Sequence, residues 1–367
     1  MKKILVTGGP VHAHLDSVKI ITNRFRGGLM ADIAEQLVEL GAEVTYLCPS
    51  LPGMKVPAAH GRMTLLGHTG FDDYRRQVAE LAPSMDGVVL GAAVANLIPA
   101  KPWQGKFPSH DYKPGDIVPI DFLVSPRVID EVKRVAPKTH LFGFKLLSGV
   151  SNKELIRAAY GIVLEAKATA VIANDTDNLQ QKFAVTKERG VHPLKQGDVA
   201  AWIMELLADE YYSTETAQNF PYNVDVTLER AVKLVEEYKD RFTQVEGGLV
   251  FGTVAVRRPR NKLCFVTTAR GKRELEKFAY VDGVSHKKRK VYSAGGKASL
   301  NAPLLATCFA NPEVDYIVHY HEQVPGLPTY AYAPPGTVRD SVRPNTTSFN
   351  ISKHGCMLLF NKEGRQL

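Results

Sequence analysis

Residues 319–321 read His-Tyr-His, a spacing that can bring two imidazoles to one ion. The preceding Asp315, Tyr316, Ile317 and Val318 have the character of a strand, in which side chains two apart share a face. His319 and His321 then point one way and Tyr320 the other. Neutral imidazoles suit zinc and similar divalent ions. The pair also fits two ordinary histidines at a strand end, and a third ligand must come from elsewhere in the chain. A second chemical feature stands near residue 8. Gly8-Gly9 follows the apolar run Lys3–Val6 and is separated by a long loop from Leu29, Ile33, Leu37 and Leu40, which recur at helical spacing. Strand, glycine turn and helix is where an open α/β sheet offers free amides to phosphate.

The elements around these residues divide the chain. Its 367 residues predict two domains, each large enough for its own core. Up to residue 212, strand-like runs (43–47, 63–66, 87–94, 141–146, 170–173) alternate with helical stretches (72–81, about 126–135, 151–166). That order predicts an α/β domain over 1–212, a Rossmann-like, three-layer, doubly wound parallel sheet. Residues 213–225 carry no periodicity and predict a linker. In the domain expected over 226–367, an amphipathic helix from Val226 to Phe242 precedes strand-like runs at 249–256, 262–267 and 315–321.

Composition narrows the function. Hydrophobic content of 44% and charged content of 23% are those of a globular domain, and no apolar run approaches the length of a membrane helix. MKKILVTGG is too short in apolar residues for a signal peptide, and four scattered cysteines without a CxxC pair fit a reducing compartment; the expected location is cytoplasmic. The net charge of +8 is concentrated: residues 257–297 hold 13 Lys or Arg against Glu274, Glu276 and Asp282. With few interleaved aromatics and no nucleic-acid motif, this predicts a solvated basic face or a site for an anionic substrate, and no nucleic-acid partner. The glycine turn also argues against a dinucleotide as the ligand. TGGP is not GxGxxG, the loop from Gly8 to Arg26 is too long, and the second strand ends YLCPS without an acid for a ribose.

The stretch TGGPVHAHLDSVKIITNRFRGGLMADIAEQL, followed in order by GAAVANLIPA (91–100), Gly105-Lys106, SPRVID (125–130), GFKL (143–146) and VIAND (171–175), resembles the phosphopantothenate–cysteine ligases. The resemblance covers nearly all of residues 1–210. It implies ligation of phosphopantothenate to cysteine through an acyl-nucleotidylate, with CTP or ATP and Mg²⁺, in coenzyme A biosynthesis. It implies that Asn23 and Lys106 are catalytic. It further implies that Gly8, Gly9, Ala92, Ala93, Asn96, Phe144, Lys145, Asn174 and Asp175 bind nucleotide or substrate, Phe144 by packing on the base. Taken singly, Asn23 and Lys106 also fit a loop cap and a surface lysine. Two departures stand out. Residues 24–30 read RFRGGLM where the family has a Ser-Ser-Gly-Lys-Met-Gly turn, and Asn96 replaces a nucleotide-binding acid.

From about Leu249 the chain resembles the class II aldolase/adducin family, through FGTVAVR (251–257), FVTTARG (265–271), NPEVDYIVHYH (311–321) and KHGCMLL (353–359). This implies an α/β/α domain with zinc or another divalent ion on His319, His321 and His354. The family's acid/base glutamate falls here near Ser299 and Asn301, and an amide cannot take up a proton as a carboxylate does. Three readings of the whole follow. The chain is a ligase with a fused metal-binding domain, a metal-dependent lyase (aldolase, dehydratase or epimerase) acting on a phosphorylated sugar, or a protein whose second domain serves only in assembly. Both resemblances imply a homo-oligomer, a dimer or a tetramer.

Overall fold

The computed structural model describes residues 1–367 apart from 188–189, 218–225, 245–249, 259–263 and 344–346. The chain forms two compact units, Met1–Leu207 and Ala208–Leu367. The division falls five residues before the boundary expected at 212, because Tyr211 and Tyr212 already pair with the second unit at Thr337 and Gly336. The expected linker is likewise corrected at its start: Ser213–Thr216 is a strand paired in parallel with Lys290–Ala294. Its remainder, 218–225, lies outside the described residues, as do Leu249 and residues 262–263 of two expected strands.

In the first unit, the chain-ordered strands β1 (Lys3–Thr7), β2 (Glu43–Pro49), β3 (Met63–His68), β4 (Gly87–Leu90), β5 (His140–Leu147) and β6 (Ala170–Asp175) run parallel. β7 (Asn178–Thr186) and β8 (Val191–Lys195) add antiparallel at one edge, giving the order β8-β7-β6-β5-β4-β1-β2-β3. This is the doubly wound order, with its switch point between β1 and β4. The strands read as unbroken apolar runs because both faces are covered. Ile4, Val6, Phe142 and Ile172 pack under the helices Gly28–Glu39 (α1) and Val199–Ala208. The alternate residues face the other way, and a side chain at Gly143 would strike Ile129 on the helix Val128–Val135. Helix α1 follows its apolar spacing, burying Met30, Ile33, Ala34, Leu37 and Val38. Full burial of a residue such as Leu37 contributes about 2 kcal/mol.

The second unit is a nine-stranded, mostly antiparallel sheet with a helix on each face. Ala302–Phe309 packs one apolar cluster against it, and Val226–Tyr238 packs the other. The strands that matter for function are central and adjacent: Thr253–Arg257, Tyr316–Tyr320 and Gly355–Phe360.

Candidate functional site

In the first unit a cavity of about 530 Å³ opens where the parallel strands end at the switch point. Gly9 after β1, residues 91–94 and Asn96 after β4, Phe144 and Leu146 on β5, and Asn174 on β6 line it. Residues 25–30 close another side. Helix α1 begins there at Gly27 with no side-chain cap, so its first-turn amides have no side-chain acceptor. Its lining contains two cations, Arg26 and Lys182, and no carboxylate. The arrangement suits an anion carrying a flat ring.

The expected residues separate into those that line the cavity and those that support it. Gly9, Ala92, Ala93, Asn96, Phe144 and Asn174 line it. Asn23 is outside the lining but touches it, donating from Nδ2 to the Ala93 carbonyl at 2.9 Å. Gly8 is beneath: its amide bonds Leu47, and a Cβ there would meet the buried Tyr46 hydroxyl at 1.9 Å. Glycine is required at this close approach.

Lys145 alternates with Phe144 and Leu146 along β5 and is outside the lining. Asp175 is outside it too. Its carboxylate accepts the amides of Asp177 and Val150, which hold its pKa below the ordinary carboxylate value, and closes the turn 147–150. Lys106 is exposed and does not line the cavity. Its loop is nonetheless anchored: the Gly105 carbonyl accepts from Ser17, and the Phe107 amide donates to the buried Asp16 carboxylate at 2.9 Å.

Sequence reading missed Lys182, Leu179 and Gln196, which reach the cavity from the antiparallel edge. It also missed a polar cluster under the glycine turn. The Nε2 atoms of His12 and His14 both meet the Thr69 carbonyl, His68 stacks on His12, and Thr7 Oγ1 lies 3.2 Å from the Tyr74 hydroxyl. Burial, then the neighbouring His12, pushes His68 down to about 4. The HxH spacing at 12–14 was a visible signal, but pairing with His68 depends on the packing of β3.

In the second unit, His319, His321 and His354 converge, their ligand nitrogens within 4.8 Å of one another. His319 lies near the end of the strand Tyr316–Tyr320, and its Nδ1 lies 2.7 Å from the Cys356 carbonyl on the next strand. That contact assigns the proton to Nδ1 and leaves Nε2, which is buried and has no hydrogen-bond partner among the described residues, as a lone pair for the cluster. Burial, then the charge of Lys272, pushes His319 down to about 4, so the imidazole is neutral. His354 arrives on the turn before Gly355, whose φ of +141° and lack of a Cβ are both needed. A Cβ there would meet the Tyr320 carbonyl at 2.0 Å and the His321 Cα at 2.7 Å. Three converging imidazoles with one buried lone pair held ready fit a zinc-type ion.

No carboxylate among the described residues joins this cluster. Glu322 turns to Arg241, whose Nη1 donates to its carboxylate at 3.2 Å. Ser299 Oγ bonds Thr253 Oγ1, directly across the sheet from His319, and Asn301 is buried at the start of its helix. Lys272, buried and pushed down to about 8 by that burial, donates to the Gly252 carbonyl at 2.6 Å. Among the described residues no helix is long and apolar enough to cross a membrane.

Known proteins resemble the first unit. The coenzyme A biosynthesis bifunctional protein CoaBC of Thermococcus kodakarensis is 31% identical over 174 residues, 47% of this chain and 41% of that protein. The protein of the same name from Mycolicibacterium smegmatis is 28% identical over 157 residues, 42% of this chain and 37% of that protein. The matches thus span under half the length of these curated relatives. The crystal structure of the DNA/pantothenate metabolism flavoprotein from Streptococcus pneumoniae is similar at a TM-score of 0.50 and 25% identity, covering 56% of this chain and 98% of that one. Residues 1–205, ending beside the boundary between the two units, match the family described as the DNA/pantothenate metabolism flavoprotein C-terminal domain, and the chain belongs to that family.

Proposed function

We propose that the first unit ligates phosphopantothenate to cysteine, consuming CTP or ATP, as a step of coenzyme A biosynthesis. The observation that carries this reading is the carboxylate-free cavity at the switch point, where glycine turns, the uncapped start of α1 and two cations meet an apolar wall at Phe144. Family membership and the names of the relatives support it. The phosphopantothenate carboxylate attacks the α-phosphate, forming an acyl-nucleotidylate and releasing pyrophosphate. The cysteine amine then displaces the nucleotide to form the amide. Both steps gather negative charge on phosphate oxygens, and preorganised amides and cations lower that barrier.

In this reading Asn23, whose Nδ2 donates to the Ala93 carbonyl, bonds the acyl phosphate. Lys106, on a loop anchored through Asp16, adds charge when it closes over the phosphates. Mg²⁺ enters as the nucleotide complex, and neutral Asn96 contacts the nucleotide where the family has an acid.

The test is pyrophosphate release with Mg²⁺, phosphopantothenate and cysteine, in parallel with CTP and ATP. Release that needs both the acid and cysteine, and is lost in Lys106→Ala, supports the ligase. No release with either nucleotide from folded protein removes it.

The convergence of His319, His321 and His354 favours a second activity, a class II aldolase-like, metal-dependent lyase reaction on a phosphorylated sugar. A divalent ion held there supplies a Lewis acid for a substrate hydroxyl or carbonyl. The chain's own part is to keep His319 neutral and aimed through Cys356. His319→Ala abolishes such activity while leaving pyrophosphate release intact. A variant that loses only its assembly state on size exclusion assigns the second unit to oligomerisation instead.

A further inference from the structure

We propose that Lys182 reads the nucleobase in the first unit's cavity and selects a base that carries a ring carbonyl. The inference rests on the nucleotide reading above and deepens it. Lys182 lies on β7 opposite an irregularity in β6, where the pairing register shifts between Ala173 and Asp175 and leaves Asn174 without a partner on β7. Both side chains line the cavity. Lys182 is only 1% exposed, and its ammonium makes one hydrogen bond, to the Leu179 carbonyl at 2.7 Å. Among the described residues no carboxylate pairs with it. An ammonium has three protons to donate, and burying one without a counter-charge is unfavourable unless a ligand supplies acceptors. A methionine would fill the same space without that cost. The fold therefore carries a buried cation that it does not itself satisfy, and it carries it at a ligand cavity.

The cavity has two chemically different ends. Gly9, Gly28 and Gly91 with the start of α1 offer backbone to phosphates, whereas Phe144, Leu179, Asn174 and Lys182 offer an apolar face with two polar tips. With the triphosphate at the glycine end, the base stacks on Phe144 and turns its edge to Asn174 and Lys182. Asn174 can donate or accept, but Lys182 can only donate. A carbonyl oxygen on the ring, as in cytosine, uracil or guanine, meets that donor. Adenine has none.

The experiment is calorimetric titration of CTP, UTP, GTP and ATP, with Mg²⁺ and no phosphopantothenate, into the wild-type chain, Lys182→Met and Lys182→Arg. The melting temperature of each apo-protein is measured alongside. We expect the wild type to prefer CTP to ATP, and Lys182→Met to weaken CTP about tenfold or more while ATP changes by less than about threefold. Lys182→Arg should retain the preference, and apo Lys182→Met should melt at or above the wild type. An unchanged CTP affinity in Lys182→Met, or a wild type that prefers ATP, overturns the assignment but leaves the nucleotide reading standing. Equal loss of all four nucleotides together with a lowered melting temperature makes Lys182 structural. A wild type that binds none of them removes the nucleotide reading itself.

Discussion

The two candidate sites are built on opposite principles. The cavity of the first unit is made chiefly from backbone: glycine turns, an uncapped helix start and a flat aromatic wall, at the place where a parallel sheet reverses its order. The cluster of the second unit is made from side chains, three imidazoles delivered by neighbouring strands of an antiparallel sheet. A backbone site tolerates changes such as Asn96 in place of an acid, because its amides remain whatever the side chains become. A side-chain site concentrates its function in a few atoms and is lost with any one of them. Substitutions should therefore be lethal to function at the histidine cluster and act through packing around the cavity.

The contrast is broken most directly at the histidines. His319→Ala or His354→Ala should reduce bound zinc from about one per chain to nearly none by equilibrium dialysis and elemental analysis, since metal affinity rests on every ligand. Nucleotide binding by the first unit should be unchanged. Retention of zinc in either variant would mean that the cluster is not the metal site.

Gly355→Ala leaves all three histidines present. It forces a Cβ into the Tyr320 carbonyl and should destabilise the second unit by about 2–4 kcal/mol in denaturant unfolding, with zinc affinity falling too.

In the first unit, Gly8→Ala drives a methyl into the Tyr46 hydroxyl and should cost about 1–3 kcal/mol. Tyr46→Phe removes that hydroxyl, which is buried without a hydrogen-bond partner among the described residues, and should be near neutral alone while restoring part of the loss in the double variant. Full additivity of the two changes would refute this contact.

The remaining effect concerns pH. His68 is held neutral by burial down to about 4, whereas an unfolded histidine titrates near 6.5. Between those values the unfolded state binds more protons than the folded one, so stability rises with pH across that window and is lost as pH falls. Unfolding of the first unit followed from pH 7 to pH 4.5 should show this decline, and His68→Gln should flatten it. An equal slope in the variant would assign the acid sensitivity elsewhere.

The amino-acid sequence by itself determined most of the first unit's architecture. Unbroken apolar runs and helical spacing marked its parallel strands and helices, because local burial patterns encode those elements. It also exposed His319 and His321 as a pair, since a strand's two-residue period is local. The resemblance supplied His354, Asn23 and Lys106, which no spacing could join. Only the tertiary structure decided which residues meet. It brought His354 to the pair through the turn at Gly355, put Lys145 and Asp175 outside the cavity, and turned Ser213–Thr216 into a strand of the second unit. It also carried Lys182, on an antiparallel edge, to the cavity that Phe144 and Asn174 line. These are contacts between residues far apart in sequence, set by strand register and by which face of the sheet each side chain occupies, and neither is written in any local stretch of the chain.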